Sequence, residues 1–165
     1  MNAADLQSFC SEADDIRWFQ CKPWSAGEYT YASNGHIIIR VARLPDVPEQ
    51  PKAPDAAKMF AKIAPASNWM PVPPATRPTP VVCPECDGTG IIEGEGPDDD
   101  SEDCEWCNHT GEVTPRIGVQ VNDVYFDQTY LSMLQGWEIS PDGTKNAAWI
   151  RNGDVVGLLM PRTRP

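Results

Sequence analysis

Tyr31-Ala32-Ser33-Asn34-Gly35-His36-Ile37-Ile38-Ile39 reads as a hairpin turning into a buried strand. Asn-Gly between two strand-like runs is the strongest short hairpin signal, because both residues tolerate the positive φ of a tight turn. The three isoleucines are β-branched and uninterrupted, which suits a short strand covered on both faces. Outward from the turn, Glu28–Ala32 and His36–Ala42 are predicted strands, and Ile16–Cys21 predicts another ahead of them. Leu6, Phe9 and Cys10 recur at helical spacing and predict a short amphipathic helix over 3–11.

The far end of the chain has the same order of elements. Arg116–Val121 alternates like a strand and Val124–Phe126 extends or pairs with it. Asp127 then caps a predicted helix to Gln135, with Phe126 and Leu131 at the two positions of a hydrophobic staple. Gly136 ends it. Three predicted strands follow, Trp137–Ser140, Lys145–Arg151 and Asp154–Met160. They are joined by Pro141-Asp142-Gly143-Thr144 and Asn152-Gly153, both strong turn signals. Each end is thus a helix followed by a three-stranded meander, a repetition of element order and not of residues.

Between the ends the character changes. Ten prolines fall within residues 45–80; proline removes donors and fixes φ, so this stretch is expected to run across the surface as an extended connection. One helix should interrupt it, capped by Asp55, with Met59, Phe60 and Ile63 on one face and Lys58 and Lys62 on another.

Residues 81–113 carry the clearest chemistry. Cys83-Pro-Glu-Cys86 and Cys104-Glu-Trp-Cys107 give the spacing C-x2-C-x17-C-x2-C, within the range of a structural zinc site. Each pair sets two sulfurs on one ion, and the segment between folds back to complete a tetrahedron. Each pair also leads into a glycine-bearing turn, Cys86-Asp87-Gly88-Thr89-Gly90 and Cys107-Asn108-His109-Thr110-Gly111. One zinc held by Cys83, Cys86, Cys104 and Cys107 is expected. The alternatives are two disulfides or four unrelated thiols; two copies around an acidic loop do not look like a thioredoxin-type redox site. Four sulfurs leave no open position, so nothing predicts metal catalysis. Cys10 and Cys21 remain, expected as small buried apolar residues.

The first pair, C-P-E-C-D-G-T-G, resembles the CxxCxGxG repeat of the cysteine-rich region of DnaJ-type chaperones. The second departs from it, with His109 in place of the first glycine. Those chaperones carry four repeats and two zinc ions; here there are two repeats and ligands for one, over about 30 residues, and no His-Pro-Asp motif. The resemblance implies the knuckle and not the chaperone activity. His109 is read as an exposed turn residue, with a substitute ligand as the alternative.

Composition bounds the rest. At 165 residues, 41% apolar with six tryptophans, the chain can build a core as one domain with an appendage. The N-terminus lacks a basic region and apolar run, and no stretch approaches a membrane span, so a cytoplasmic protein with reduced cysteines is expected. The net charge of −11 is uneven. Eight carboxylates and no Lys or Arg lie within residues 93–105, leaving 16 acidic against 13 basic residues elsewhere. Such a run is usually a solvated loop; the sharper alternative is an acidic finger for a basic partner. No basic patch with interleaved aromatics appears, which disfavours direct duplex DNA binding.

The paired pattern, with three local matches, resembles one domain of the bacterial DNA sliding clamp. Val119-Gln120-Val121-Asn122-Asp123-Val124-Tyr125-Phe126-Asp127 through Leu134 is similar to the strand–helix segment of the clamp's last domain. Val156-Gly157-Leu158-Leu159-Met160-Pro161-Arg162 resembles its closing strand, and Tyr31 to His36 its Ala-Thr-Asp-Gly-His turn. Together these cover about 60 to 70 residues. The implied fold class is α+β: a clamp-like body of two helix-plus-meander halves, residues 1–44 and 116–165, with the Pro-rich connection 45–80 and the zinc knuckle 81–113 inserted. In that family the two end motifs flank a hydrophobic pocket for short peptides. The resemblance thereby points to Ser33, Gly35, His36, Ile38, Met160 and Pro161 as partner-binding residues, with Arg162 at the rim; the alternative is ordinary turn and strand residues. Clamps close around DNA from several such domains, so this chain would form a ring from six copies or not encircle DNA. Its predicted helices carry no Lys or Arg, while Asp5, Glu12, Asp14 and Asp15 cluster near the first; without cations there is no counterion release to hold a duplex.

Convergent catalytic groups are missing from this pattern: only two histidines exist, both in predicted turns, and the best thiolates go to metal. The expected function is a non-catalytic, zinc-binding protein-interaction module in DNA replication, repair or recombination, of a kind that suits a phage or prophage. The partner would be a protein or peptide, with no membrane. The alternatives are an acidic decoy or inhibitor of a host nucleic-acid-binding protein, and an enzyme using the knuckle only for structure.

Overall fold

The computed structural model describes residues 1–11, 20–64, 66–93, 100–141 and 147–162. The chain is mostly β-sheet with a few short helices. The elements are α1 (Ala3–Gln7), β1 (Trp24–Ala26), β2 (Tyr29–Ser33), β3 (Ile37–Ala42), α2 (Ala56–Lys62), β4 (Met70–Pro71), β5 (Val81–Val82), β6 (Ile91–Ile92), β7 (Glu102–Asp103), β8 (Glu112–Val113), β9 (Gly118–Val121), β10 (Val124–Asp127), α3 (Gln128–Met133), β11 (Glu138–Ser140), β12 (Ala148–Asn152) and β13 (Val155–Leu159).

Seven strands form one sheet in the order β1-β2-β3-β13-β12-β11-β4. Two antiparallel meanders, one from each end of the chain, join where β3 pairs antiparallel with β13, Ile38 opposite Leu158. At that seam Gly157 lies opposite Ile39 on one side and Ile150 on the other. A Cβ there would come within 2.8 Å of the Ile39 side chain, so only glycine lets the halves close.

The sheet is covered on both faces. Ile37, Ile39, Ala32, Ile139, Ile150 and Leu159 face a cluster that includes Leu6 of α1 and Phe9 after it, Leu131 of α3 and its C-cap Leu134, and Phe126 from β10. Their neighbours Ile38, Leu158 and Tyr31 face the opposite way, onto Trp24 and onto Ala56 and Phe60 of α2. All three isoleucines are therefore buried, at 1%, 7% and 0% exposure. On the α2 face, aromatic rings make a chain from Trp24 to Tyr31 to Phe60 to Trp149, with centroids 5.7, 6.3 and 5.6 Å apart, offset or tilted as ring quadrupoles prefer.

Several expectations change on local grounds. The first helix stops at Gln7 and not at residue 11; Asp5 is bound into its capping box, donating its N–H to the Asn2 side chain at 3.0 Å and accepting from the Asn2 N–H at 2.8 Å. The strand expected at Ile16–Cys21 falls mostly outside the described residues, as do Glu12, Asp14 and Asp15, and Gln20 and Cys21 are not in a strand. The first strand is instead Trp24–Ala26, joined to β2 through Gly27 at φ +58. In the β2–β3 turn the Asn34 N–H donates to Ile37 O at 3.2 Å, so Gly35 and His36 are the central pair. The Asn34 side chain also accepts from the N–H groups of His36 and Ile37 at 3.0 and 2.9 Å. The last hairpin shifts likewise: Asn152 pairs with Val155, making Gly153-Asp154 the loop. The 141–144 turn, from Asp142 on, and Lys145 lie outside the described residues.

The Pro-rich connection contributes a strand that its composition concealed. Met70 and Pro71 pair with Ile139 and Glu138 at the sheet edge, where a proline's missing donor faces no neighbour. In α2, Asp55 caps as expected, its carboxylate accepting from the Lys58 N–H at 3.0 Å. Ala56 and Phe60 point to the core, while Met59 is 42% exposed because it stands one residue off that stripe. The helix after Asp127 ends at Met133, two residues early, and the strand before it starts at Gly118. Phe126 and Leu131, the staple pair, are both fully buried. Cys10 is buried as expected, whereas Cys21 is only half-buried.

Candidate functional site

The two cysteine pairs build one site from two copies of the same knuckle. Thr89 donates its hydroxyl to Cys86 O at 2.7 Å, and Thr110 donates to Cys107 O at 2.6 Å. The Gly90 N–H donates to Cys86 Sγ at 3.2 Å, and that of Gly111 to Cys107 Sγ at 3.3 Å. The copies are stitched crosswise: the Cys83 N–H donates to Gly111 O at 2.8 Å and the Cys104 N–H to Gly90 O at 2.9 Å. Strands pair crosswise too, β5 with β8 and β6 with β7. Glu102 and Asp103, expected in the acidic loop, thus form a strand; residues 94–99 of that loop lie outside the described residues.

The glycines are a steric requirement. A Cβ on Gly90 would strike the carbonyl of His109, and one on Gly111 the carbonyl of Gly88, closer than any real Cβ approaches. His109 occupies the place of Gly88 with a positive φ of 55°. It is exposed and does not join the sulfur cluster.

All four sulfurs are buried and lie within 4.8 Å of one another. Cys83 and Cys104 Sγ are 3.9 Å apart, Cys86 and Cys107 Sγ 3.7 Å. A disulfide needs about 2.05 Å, and all six cysteines are free thiols. An ion with bonds of about 2.3 Å to four tetrahedral sulfurs sets them about 3.8 Å apart. The spacing fits a bound metal.

Electrostatics favour the same reading. At Cys86, burial opposes ionisation, but the N–H groups of Gly90 and Gly88 and the Cys83 and Cys107 thiols outweigh it, bringing the thiol down to about 7. At Cys104 the Cys107 N–H favours the thiolate, yet burial and the neighbouring thiols push it up to about 11. Burial also raises Cys83. Cys86 ionises readily while Cys83 and Cys104 hold their protons; a bound cation would favour the thiolate form of all four ligands.

The second region lies where the chain's two ends meet. Ser33, Gly35, His36, Ile38 and Met160 line a mostly apolar cavity of about 220 Å³, with Trp24, Met59 and Leu158. His36, Met160, Pro161 and Arg162 line an adjoining cavity of about 340 Å³, with Arg116, Asp127 and Tyr130. All seven partner-binding residues named from the sequence therefore border two cavities that share His36 and Met160. The Met160 N–H donates to His36 O at 2.8 Å, tying the closing strand to the β2–β3 turn. The His36 ring stacks on Tyr130 with centroids 4.8 Å apart. Met160 is 47% exposed and Ile38 is 7% exposed, so one forms a wall and the other a floor.

Arg116, Tyr130 and Trp24 escaped the sequence reading as lining residues. They come from elements far apart in the chain, and no local pattern marks them. Arg116 also lines a third cavity of about 670 Å³ against Trp106 of the second knuckle. Trp106 is 67% exposed, on the module that carries the four clustered cysteines.

No helix among the described residues is long and apolar enough to cross a membrane. Comparison of the chain with protein-family models, with curated protein sequences and with solved structures found no match.

Proposed function

We propose that this protein is a non-catalytic peptide-binding module of DNA metabolism, a clamp-like body with a zinc knuckle that serves structure. The observation that carries the reading is the groove between the β2–β3 turn and the closing strand. Ser33, Gly35, His36, Ile38, Met160, Pro161 and Arg162, named from their resemblance to the clamp's peptide pocket, border two adjoining cavities there. The architecture is compatible with it: a helix and a three-stranded meander from each end, sharing one sheet. Zinc is the metal of choice because four thiolates at tetrahedral spacing with no open position suit a structural ion.

The clamp likeness stops short of sliding. Among the described residues α1 and α3 carry no cation, so a helix-lined channel would offer nothing to phosphates. The reading is tested by fluorescence anisotropy with labelled short apolar-anchored peptides from replication and repair proteins. Micromolar binding, about −8 kcal/mol, that Met160→Ala weakens is the expected result. Tight, salt-dependent binding of duplex DNA with no peptide binding would overturn it, and sedimentation would report any ring.

A second reading rests on charge. Residues 81–113 hold eleven carboxylates and no Lys or Arg, which suits a decoy for a basic host protein. Loss of host-protein binding on neutralising the carboxylates at Glu102, Asp103 and Glu105, with peptide binding unchanged, would favour it.

A further inference from the structure

One tryptophan on the cysteine module has no work inside the protein. Trp24 packs against Tyr31, Trp137 against Phe9 and Trp149 against Phe60, and Trp69 lies under the Arg151 guanidinium at 4.1 Å. Trp106 alone among the described tryptophans has neither a ring contact, a cation contact nor a hydrogen bond to its indole. The knuckle does not ask for it either. In the first copy, Cys83-Pro84-Glu85-Cys86, a glutamate holds the place that Trp106 takes in Cys104-Glu105-Trp106-Cys107. Both copies nevertheless make the same threonine and glycine hydrogen bonds, so the indole serves neither the turn nor the sulfurs. Its surroundings extend it into an apolar strip. Trp106, Glu112 and Val113 border the cavity of about 670 Å³. Across the β5–β8 ribbon Val81 pairs with Val113 and Val82 with Glu112, and both valines are exposed. Apolar surface gathered in one place and rimmed by charge marks an interaction site.

The charge around this strip has one sign. Residues 81–113 hold eleven carboxylates and no Lys or Arg, and the chain's other 13 acidic residues are balanced by its 13 Lys and Arg. The whole net charge of −11 is therefore the cysteine module's, and its field draws cations there. We propose that the face formed by Trp106, Val81 and Val82 docks a basic segment of a partner protein, with an arginine laid over the Trp106 indole beside Glu105 and Glu112. Apolar residues next to that arginine cover the valines. The inference rests on the charge reading above and deepens it, naming where a basic protein is held and by which side chain. Arginine suits the seat better than lysine, because a planar guanidinium stacks on an aromatic face and gives up its hydration more easily. Arg116 is the one cation lining the cavity, and it stands where the chain leaves the module for β9. The guest's positive charge therefore belongs at the Trp106 end. A second copy of this chain is the poorer occupant, since two chains of net charge −11 repel each other.

The test is fluorescence anisotropy on the intact metal-loaded protein at about 0.15 M salt, with labelled, amidated octapeptides alternating Arg with Leu, and the same peptides with Lys for Arg. The expected result is saturable binding of the arginine peptide that Trp106→Gln weakens about fivefold or more, as loss of a stacked cation does. Val82→Ser, across the ribbon, should weaken it about threefold, and Lys for Arg by about as much. Suppose Trp106→Gln changes binding less than about twofold while neutralising Glu102, Asp103 and Glu105 abolishes it. The seat is then overturned and the charge reading stands. Binding indifferent to both changes overturns the seat and the charge reading together, and absence of binding overturns the seat. A dimer in sedimentation that Trp106→Gln dissolves would give the face to a second copy and likewise overturn the proposal. If Trp106→Gln fails to hold metal by elemental analysis, the comparison of Arg with Lys peptides on the parent protein decides. A difference under about twofold there refutes the seat.

Discussion

Removing the metal should unfold residues 81–113 and leave the seven-stranded sheet intact. Among the described residues the knuckles bury no apolar core of their own: their buried cluster is the four cysteines, with Val113 packed against it. Val81, Val82, Ile91 and Ile92 remain 48%, 64%, 45% and 40% exposed. Each ribbon has two residue pairs, far below what holds a hairpin alone in water. Apparent binding energies of structural zinc in finger peptides are about 10–16 kcal/mol. If one third of that keeps the module closed, stripping the ion should raise exchange by about 10²–10⁴-fold at the crosswise amides of Cys83 and Cys104 and at the sulfur-bound amides of Gly90 and Gly111. Amides of the β3–β13 seam, such as Leu158, should keep their protection, because both sheet faces stay covered by apolar side chains. The assay is hydrogen exchange before and after a strong chelator, with elemental analysis to establish that the ion was bound and then lost. Protection of Gly90 and Gly111 unchanged in the metal-free protein would refute the argument that the ion is this module's core.

Gly90→Ala should lower metal affinity at least about tenfold, since a positive φ and a collision with the His109 carbonyl together cost over about 1.4 kcal/mol; competition with a chromophoric zinc chelator measures it. Phe60→Ala should cost about 3–5 kcal/mol of stability in urea denaturation, because Phe60 is 3% exposed and links Tyr31 to Trp149. Met160→Ala, at a half-exposed position, should leave the urea midpoint nearly unchanged while weakening peptide binding. Burial pushes the Cys10 thiol up to about 11 from 9.0, so the folded form binds that proton more tightly than the unfolded one. The resulting stability is present below pH 9 and lost as pH rises through about 11, worth about 3 kcal/mol at most; Cys10→Ala should flatten melting temperature against pH over that range.

How much was legible depended on how local each cause is. The cysteine site was readable because a knuckle is closed within a few residues: two sulfurs, a threonine and a glycine at fixed offsets, repeated once. Asp55 and Asp127 as caps and the Ile37–Ile39 strand were readable for the same reason, since backbone donors and β-branched packing act over one turn or one strand. The turns were recognised but their registers were not. At Asn34-Gly35-His36 the Asn side chain takes up the N–H groups of His36 and Ile37, which shifts the central pair by one residue. Such a shift depends on which strands pair across the whole sheet.

What only the tertiary structure decided lies further apart in the chain. Met70–Pro71 becomes an edge strand because β11 needs a partner there, and nothing in a proline-rich stretch announces that. The seam of β3 with β13 brings Ile38 and Leu158, 120 positions apart, opposite each other across one pair of strands. That seam also sets His36 beside Met160 and, through α3, beside Tyr130. The sequence by itself determined which residues could hold a metal and most of the segments that make strands, because those follow from short-range geometry. The groove exists only because long-range pairing fixed where the ends of the chain meet.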